Sequence, residues 1–171
     1  CAAGLRALAP SAVCLANKHA MDFGEKGLAD TRKALAGIPS FGAGANLAQA
    51  RESAILGDVA IYACAEREFG VAGERSPGTN PYDPLESFDA VAALRAQGRR
   101  VIVLYHGGLE KYRYPSPHLR RVCRKFVEKG ADLVVCQHSH SVGCMEAFGG
   151  GNIVYGQGNL HFARYGGEHW N

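Results

Sequence analysis

Two histidines follow a short apolar segment near the end of the chain, and their type and spacing suit metal binding. Residues 133–136 form a run rich in β-branched side chains, typical of a buried strand, and His138 and His140 come directly after it. Residues at i and i+2 point to the same side of an extended backbone, and neutral imidazole is a common metal ligand. Taken alone, such a pair is slightly more often an ordinary pair of polar histidines at a strand exit.

Two further histidines also stand where a predicted strand ends. His19 follows the apolar segment 12–16, and His106 follows 101–105 and precedes two glycines. For His106 alone, a metal ligand and a hydrogen-bonded histidine in a glycine turn are equally good interpretations. In layered α/β folds the carboxyl ends of the strands share one edge of the sheet. We therefore expect these histidines to lie near one another.

Asn17 and Asp22 flank His19 and could add oxygen ligands to the imidazoles. Both residues also favour turns, and Asp22 could cap the helix that follows, so local loop structure is the simpler explanation for each. A set of imidazole nitrogens with amide or carboxylate oxygens suits Zn, Fe or Mn. The clustering at strand exits therefore predicts a metal centre.

Helical and strand patterns alternate along the chain, which favours a layered α/β fold. Helices are predicted over 25–36, 85–97 and 117–129, the last with an apolar face at 119, 122, 123, 126 and 127. Strands are predicted over 12–16, 38–42, 53–56, 59–65, 101–105, 133–136, 153–155 and 160–162. Gly57 and Asp58 predict a hairpin. Residues 66–84, rich in glycine and proline, predict a long surface loop of the kind that often covers a site, with charged side chains that only contact water.

The composition indicates one globular domain, residues 1–171, because 47% of the residues are apolar and 20% are charged. Six cysteines form no CxxC motif and mostly lie within apolar patterns, which predicts buried free thiols and favours a reducing, cytoplasmic compartment. They are Cys1, Cys14, Cys64, Cys123, Cys136 and Cys144. The sequence shows no signal peptide and no transmembrane run, and it leaves the localisation undecided.

Positive charge is concentrated in one part of the chain. Residues 99–129 contain nine lysines and arginines against Glu110 and Glu128, whereas the whole chain has a net charge of only +3. The first interpretation is a solvated basic helix face. The second is a field that attracts an anionic substrate or polymer. The small net charge gives no reason to expect a nucleic acid partner.

Several segments together resemble one known family. ANKHAMDFGEKGLADTRKAL at 16–35 is similar to ANNHxxDxGxxGLxxT of the bacterial capsule-synthesis family, the CapA or poly-γ-glutamate biosynthesis type. FGAGAN at 41–46, VLYHGGLEKYRYPSP at 103–117 and the stretch from Gly130 to Leu160 resemble that family's GAG, HxGxE and GADxVxGxHxH…IxYxxGNF segments. The resemblance covers roughly residues 12–162, with the motifs in the same order.

The resemblance implies a fold like that of the calcineurin-type metallophosphoesterases, a layered β-sandwich flanked by helices that holds two metal ions. His19 matches the histidine of their GNH motif, and His106 matches a lone metal-binding histidine. His138 and His140 match the GHxH pair. The implied cofactors are divalent Mn, Fe or Zn.

Other matched positions support this site or depart from the pattern. Asp22 and Glu110 match family positions that support the site, so His19, Asp22 and Glu110 are the implied catalytic group. Lys18 stands directly before His19, where the phosphatases place an asparagine ligand. Either Asn17 takes over that role or the ligand is lost. Gln137 replaces the glycine of GHxH.

The family's first strand with its Gly-Asp motif, and a later Asn-Leu-Glu segment, would precede position 12 and are absent. The resemblance thus predicts a C-terminal portion of such a domain that lacks acidic metal ligands and exposes a sheet edge favouring self-association. The implied function is metal-dependent hydrolysis of a phosphoester or related anionic substrate. The alternative is a non-catalytic module that binds an anionic polymer in a capsule synthesis or export complex. The family is often membrane-associated or at the cell surface.

Overall fold

The structure, a computed structural model, describes residues 2–67 and 70–159. Its helices are α1 (Ala2–Ala7), α2 (Gly24–Ala34), α3 (Leu47–Ala50), α4 (Glu86–Ala96) and α5 (Pro117–Glu128). Its strands are β1 (Val13–Cys14), β2 (Ser40–Phe41), β3 (Ala43–Gly44), β4 (Ala54–Leu56), β5 (Val59–Ala65), β6 (Gly78–Thr79), β7 (Arg100–His106), β8 (Leu133–Cys136), β9 (Met145–Phe148) and β10 (Gly151–Val154). The fold is α/β, with a mixed sheet flanked by helices, as predicted.

A six-stranded sheet in the order β4-β5-β7-β8-β10-β9 forms the centre of the domain. Strands β5, β7, β8 and β10 pair in parallel, and the two outer strands are antiparallel to their neighbours. The predicted hairpin at Gly57 and Asp58 is confirmed by the antiparallel pairing of β4 with β5. The four parallel strands end at Ala65, His106, Cys136 and Val154, on what we call the carboxyl edge of the sheet.

Helices α4 and α5 cover one face of this sheet, and the main apolar core lies between these helices and the sheet. The five apolar residues predicted on the inner face of α5 are all buried. Phe126 is fully buried, and its ring lies 4.8 Å from that of Phe88 and within 6.4 Å of those of Tyr62, Tyr82 and Tyr105. Helix α5 therefore packs against the sheet through a cluster of aromatic rings.

The opposite face is covered by the segment around β1 and β2. Side chains alternate along β7, so Val103 and Tyr105 face the helices while Leu104 packs with Ala16 and Phe41 on the other side. His106 shares the orientation of Leu104 because it follows two residues later. The loop after β1 is thereby brought to the same side of the sheet as His106.

Several sequence predictions needed correction. Strand β9 was not predicted, because Met-Glu-Ala-Phe lacks β-branched residues and forms a half-exposed edge. Residues 66–84 are not simply a surface loop, since they contain β6 and the buried residues Thr79 and Asn80. The described residues form one six-stranded sheet and two two-stranded sheets, β1-β2 and β3-β6, and the implied layered β-sandwich of the calcineurin type stays a prediction. The strand predicted at 160–162 lies outside the described residues.

The cysteines that the structure describes are all free thiols, as predicted, and Cys1 lies outside the described residues. Cys123 of α5 and Cys136 of β8 contact each other in the core, with their Sγ atoms 3.5 Å apart. Within residues 2–67 and 70–159, none of the helices has the length and apolar character needed to cross a membrane.

We expect Phe126→Ala to lower the free energy of unfolding by about 3–5 kcal/mol, because it leaves a cavity among four aromatic rings. Phe23, which is 86% exposed, offers a matched control, and Phe23→Ala should change stability by less than about 0.5 kcal/mol. Urea unfolding followed by circular dichroism measures both. Similar losses in the two variants would show that the aromatic cluster is not central to stability.

Candidate functional site

Polar side chains gather where the four parallel strands end. Glu66 directly follows β5, His106 is the last residue of β7, His138 lies two residues beyond β8, and Asn159 lies beyond β10. The loops after β7 and β8 are joined by a 2.7 Å hydrogen bond that the Lys111 backbone N–H donates to the Ser139 carbonyl. The loops after β7 and β8 therefore lie close together at the carboxyl edge, the arrangement expected for residues that follow parallel strands.

His106 and His138 form a buried pair at the centre of this site. Their exposed fractions are 9% and 6%, and the His138 Nδ1 and His106 Nε2 atoms lie 3.2 Å apart. Burial is the main cause that lowers the pKa of His106 to about 3, and the neighbouring His138 and Lys18 act in the same direction. The His106 imidazole is consequently neutral at physiological pH, the state in which a ring nitrogen can bind a cation.

His140 lies beside this pair, with its ring centroid 6.5 Å from that of His138. The predicted extended backbone is wrong here, because His140 has φ +57° and lies in a turn. The turn directs its Nδ1 atom to the Asn159 side chain, 2.9 Å from Oδ1, and Asn159 Nδ2 donates to the His140 carbonyl. His140 is therefore tied to the loop after β10.

Lys18 and Glu110 meet over the histidine pair. The Lys18 ammonium donates to Glu110 Oε1, and this oxygen lies 4.0 Å from His138 Nε2. The Lys18 hydrogen bond holds the pKa of Glu110 below its usual range. Lys18 also lines, together with His106 and His138, a cavity of about 10 Å³, close to the space of one water-sized probe. A cation thus stands at the position where the resemblance implied a neutral asparagine ligand.

His19 and Asp22 form a second pair beside the first. His19 Nδ1 lies 2.8 Å from Asp22 Oδ2, and both side chains are about half exposed. They line an open cavity of about 520 Å³ to which Lys18 also contributes. Asn17, predicted as a metal ligand, uses its Oδ1 atom to accept a 2.9 Å hydrogen bond from the His19 backbone N–H. The Asn17 side chain therefore shapes the turn that presents His19.

Glu66 is a site residue that the sequence analysis missed. Its carboxylate accepts hydrogen bonds from the Tyr105 hydroxyl at 2.9 Å and from the Gly108 N–H at 3.2 Å, and it lines the small cavity with His106. A Cβ atom on Gly107 would come within 2.5 Å of the Glu66 carboxyl carbon, so a larger residue there would displace the Glu66 side chain. The strand-exit argument applied to the histidines would have found Glu66, which directly follows β5.

The histidine pair fits part of a metal site. Two nitrogens bound to one ion at about 2.1 Å lie roughly 3.0–3.4 Å apart, and the observed separation is 3.2 Å. In the described part of the chain, however, His, Cys, Asp and Glu side chains form no group of three or more that could hold a metal ion. The remaining ligands of a complete centre are therefore not supplied by the described residues in this arrangement.

Lowering the pH should lower the free energy of unfolding of the metal-free chain, and His106 should contribute to this decrease. The unfolded chain takes up a proton at this residue as the pH falls below 6.5, whereas the folded chain resists protonation down to about pH 3. The free energy of unfolding should therefore decrease between these values, by at most about 1.4 kcal/mol per pH unit from this group. Urea unfolding with EDTA should show a shallower decrease for His106→Asn than for the unchanged chain. Equal slopes would contradict a buried neutral imidazole.

Comparison with known proteins identifies relatives of the chain. The family model described as "Bacterial capsule synthesis protein PGA_cap" matches residues 1–164. The chain is 30% identical to "PGA biosynthesis protein CapA" of Bacillus subtilis over 86% of its own length and 41% of that relative. It is 34% identical to a "probable polyglutamine synthesis accessory protein" of Mycobacterium tuberculosis over 91% of its length and 46% of that relative.

A third relative, "Capsule biosynthesis protein CapA" of Bacillus anthracis, is 28% identical over 86% of the chain and 39% of that relative. The chain thus spans less than half the length of these curated relatives. The family match covers all the helices and strands described above and includes His19, His106, His138 and His140. The resemblance found in the motifs is confirmed, and the chain belongs to the bacterial capsule synthesis protein family.

Proposed function

We propose that this chain supplies the histidine-bearing part of a calcineurin-like metallophosphoesterase site, which hydrolyses a phosphoester or related anionic substrate during capsule or poly-γ-glutamate biosynthesis. The observation that supports this proposal most is the His106–His138 pair, whose nitrogens lie 3.2 Å apart at the carboxyl edge. Two buried imidazoles at this spacing are suited to one divalent Mn, Fe or Zn ion. Such an ion would polarise a phosphoryl oxygen and lower the pKa of a bound water.

His19 has the role of a general acid in this proposal. Its Nδ1 atom is held by Asp22, which leaves Nε2 as the nitrogen that can deliver a proton to a leaving group in the adjoining open cavity. Asp22 orients the ring through this contact. Lys18, which lines both cavities, attracts the negative charge of the substrate.

Glu66 and Glu110 act as positioning residues. Glu66, which follows β5, stabilises the glycine turn after His106, because its carboxylate accepts hydrogen bonds from the Gly108 N–H and the Tyr105 hydroxyl. Glu110 holds the Lys18 ammonium above the histidine pair. The geometry of His106 and Lys18 thus depends on two carboxylates that need not touch the substrate.

We expect the isolated chain to bind at most one Mn²⁺ ion, weakly, because the carboxylates of Asp22, Glu66 and Glu110, in the described part of the site, already have partners instead of bridging two dications. His138→Ala should weaken this binding by about tenfold or more. His118, which is exposed near the start of α5, offers a matched control, and His118→Ala should leave Mn²⁺ binding unchanged. Isothermal titration with Mn²⁺ and elemental analysis after gel filtration measure both quantities.

Two tightly bound metal ions on a monomeric chain would contradict this expectation, since they would require a complete centre. Equal Mn²⁺ affinity in His138→Ala and the unchanged chain would contradict the role of the histidine pair. Hydrolysis of a generic phosphodiester by the isolated chain should be slow at best.

A second candidate function is the non-catalytic binding of an anionic polymer in a capsule synthesis or export complex at the membrane. The observation that favours it is the Lys18–Glu110 ion pair over the histidines. A lysine at this position repels a metal ion and attracts a polymer carboxylate or phosphate. The four exposed or half-exposed lysines and arginines of α5 lie on the outer surface of the helix and strengthen the attraction.

Lys18→Asn distinguishes the two candidates. If the site binds metal, removing the nearby positive charge should raise Mn²⁺ affinity by about tenfold. Lys26→Asn, on exposed α2, removes the same charge away from the site and should have no such effect. Unchanged Mn²⁺ affinity in Lys18→Asn, combined with weaker binding of a polyanion, would support the binding module and contradict the metal site.

A further inference from the structure

A cavity lies between α2 and the short strands β3 and β6, and none of its residues has a role in the proposed function. We call it the Arg75 pocket. It is bounded by α2, by the start of α3 with the turn before it, and by the turn at 73–77 that leads into β6. Its volume is about 470 Å³, within the range of small-ligand sites. Among the described residues, those that line the cavity beside His19 do not line this pocket.

Hydrogen bonds hold the three walls of the Arg75 pocket together. The FGAGAN segment at 41–46 supplies β3, which pairs with β6. The Leu47 N–H, at the start of α3, donates to the Gly73 carbonyl at 2.8 Å. Arg32 of α2 donates from Nη1 to the Ala43 carbonyl of β3 at 2.9 Å. The walls are therefore fixed relative to one another, and the pocket is present before any ligand arrives.

The lining of the pocket carries two arginines, Arg32 and Arg75, against one glutamate, Glu25. Arg75 is exposed and makes no hydrogen bond or ion pair with residues in the described part of the chain. Glu25 is also exposed, and within that part it forms no ion pair with either arginine. Its negative charge is stabilised instead by its position in the first turn of α2. The two guanidinium groups are therefore not neutralised by a carboxylate of the pocket.

The other walls of the pocket are mainly apolar. They are formed by Leu28, which is only 3% exposed, and by Ala29, Ala45 and Pro77. The Gln49 side chain already has a partner, because its Oε1 atom accepts a 2.8 Å hydrogen bond from the Ala45 N–H. Polar recognition in the pocket is thus left to the arginines, and apolar contact to the remaining walls.

We propose that the Arg75 pocket binds a small organic oxyanion, which has a carboxylate or phosphate group on an apolar body. Arg32 and Arg75 pair with the oxyanion, because a guanidinium group can donate two parallel hydrogen bonds to either group. The apolar body lies against Leu28 and Pro77. The bound ligand links α2 to the turn at 73–77. This site requires neither a metal ion nor hydrolysis, and it is separate from the histidine pair.

The test follows the backbone amide signals of the chain by two-dimensional NMR, in EDTA, as hydrocinnamate is added. We expect a dissociation constant of about 1 mM, with the largest shifts at Ala29, Ala45 and Arg75. Phenyl phosphate in place of hydrocinnamate shows which of the two anionic groups the arginines prefer. Hydrocinnamyl alcohol lacks the charge and inorganic phosphate lacks the apolar body, so each should bind at least about tenfold more weakly.

Two variants with matched controls assign the binding to this pocket. Arg75→Gln should weaken hydrocinnamate binding about fivefold, whereas Arg121→Gln, at an exposed arginine of α5, should leave it unchanged. Ala29→Phe fills the pocket and should weaken binding at least about tenfold. Ala34→Phe, at an exposed position of the same helix outside the pocket, should not. Circular dichroism checks the fold of each variant.

Three outcomes would overturn the proposal: shifts that do not saturate or do not map to the pocket, equal losses in Arg75→Gln and Arg121→Gln, or equal affinity for hydrocinnamyl alcohol. Because Arg75 is exposed and has no contact to lose, its variant tests the proposal even if Ala29→Phe fails to fold. The measurement needs no metal ion, so its result is independent of whether the histidine pair acts as proposed.

Discussion

The parallel pairing of β5, β7, β8 and β10 is the constraint on which the site depends. Parallel strands end at the same edge, so the residues that follow them are brought together although they are far apart in the chain. Ala65 pairs with His106 and Tyr105 with Cys136, which fixes how far each loop projects from the sheet. The aromatic cluster around Phe126 holds α5 against this sheet and so fixes the loop before it.

Charge is balanced at this edge by pairs rather than by single residues. Lys18 is matched by Glu110, Arg124 by Glu146, and Glu66 by the Tyr105 and Gly108 donors. Burial raises the pKa of the Tyr105 hydroxyl well above its ordinary range, so it stays protonated and donates to Glu66. The His106–His138 pair thus lies among carboxylates that already have partners.

The sequence predicted much of the fold because the relevant patterns are local. The face of α5 was predicted residue by residue, since five apolar positions at helical spacing have only one way to be buried together. The hairpin at Gly57 and the strand before His106 were predicted for similar reasons. Strand β9 was missed because its own composition shows no strand pattern, although its partner β10 is close in sequence. The buried part of 66–84 was missed because β6 pairs with β3, which is distant in sequence.

For the site, the sequence by itself determined which residue types stand at the strand exits and, through several motifs together, the family. It could not determine how those side chains are used. Only the tertiary structure decided that His106 and His138 contact each other, that His140 turns towards Asn159, and that Lys18 pairs with Glu110. It also revealed Glu66 as the link between two strand ends. The physical reason is that residue order sets local backbone preferences, whereas contacts between separate loops depend on strand register, side-chain direction and burial, which exist only once the sheet has formed.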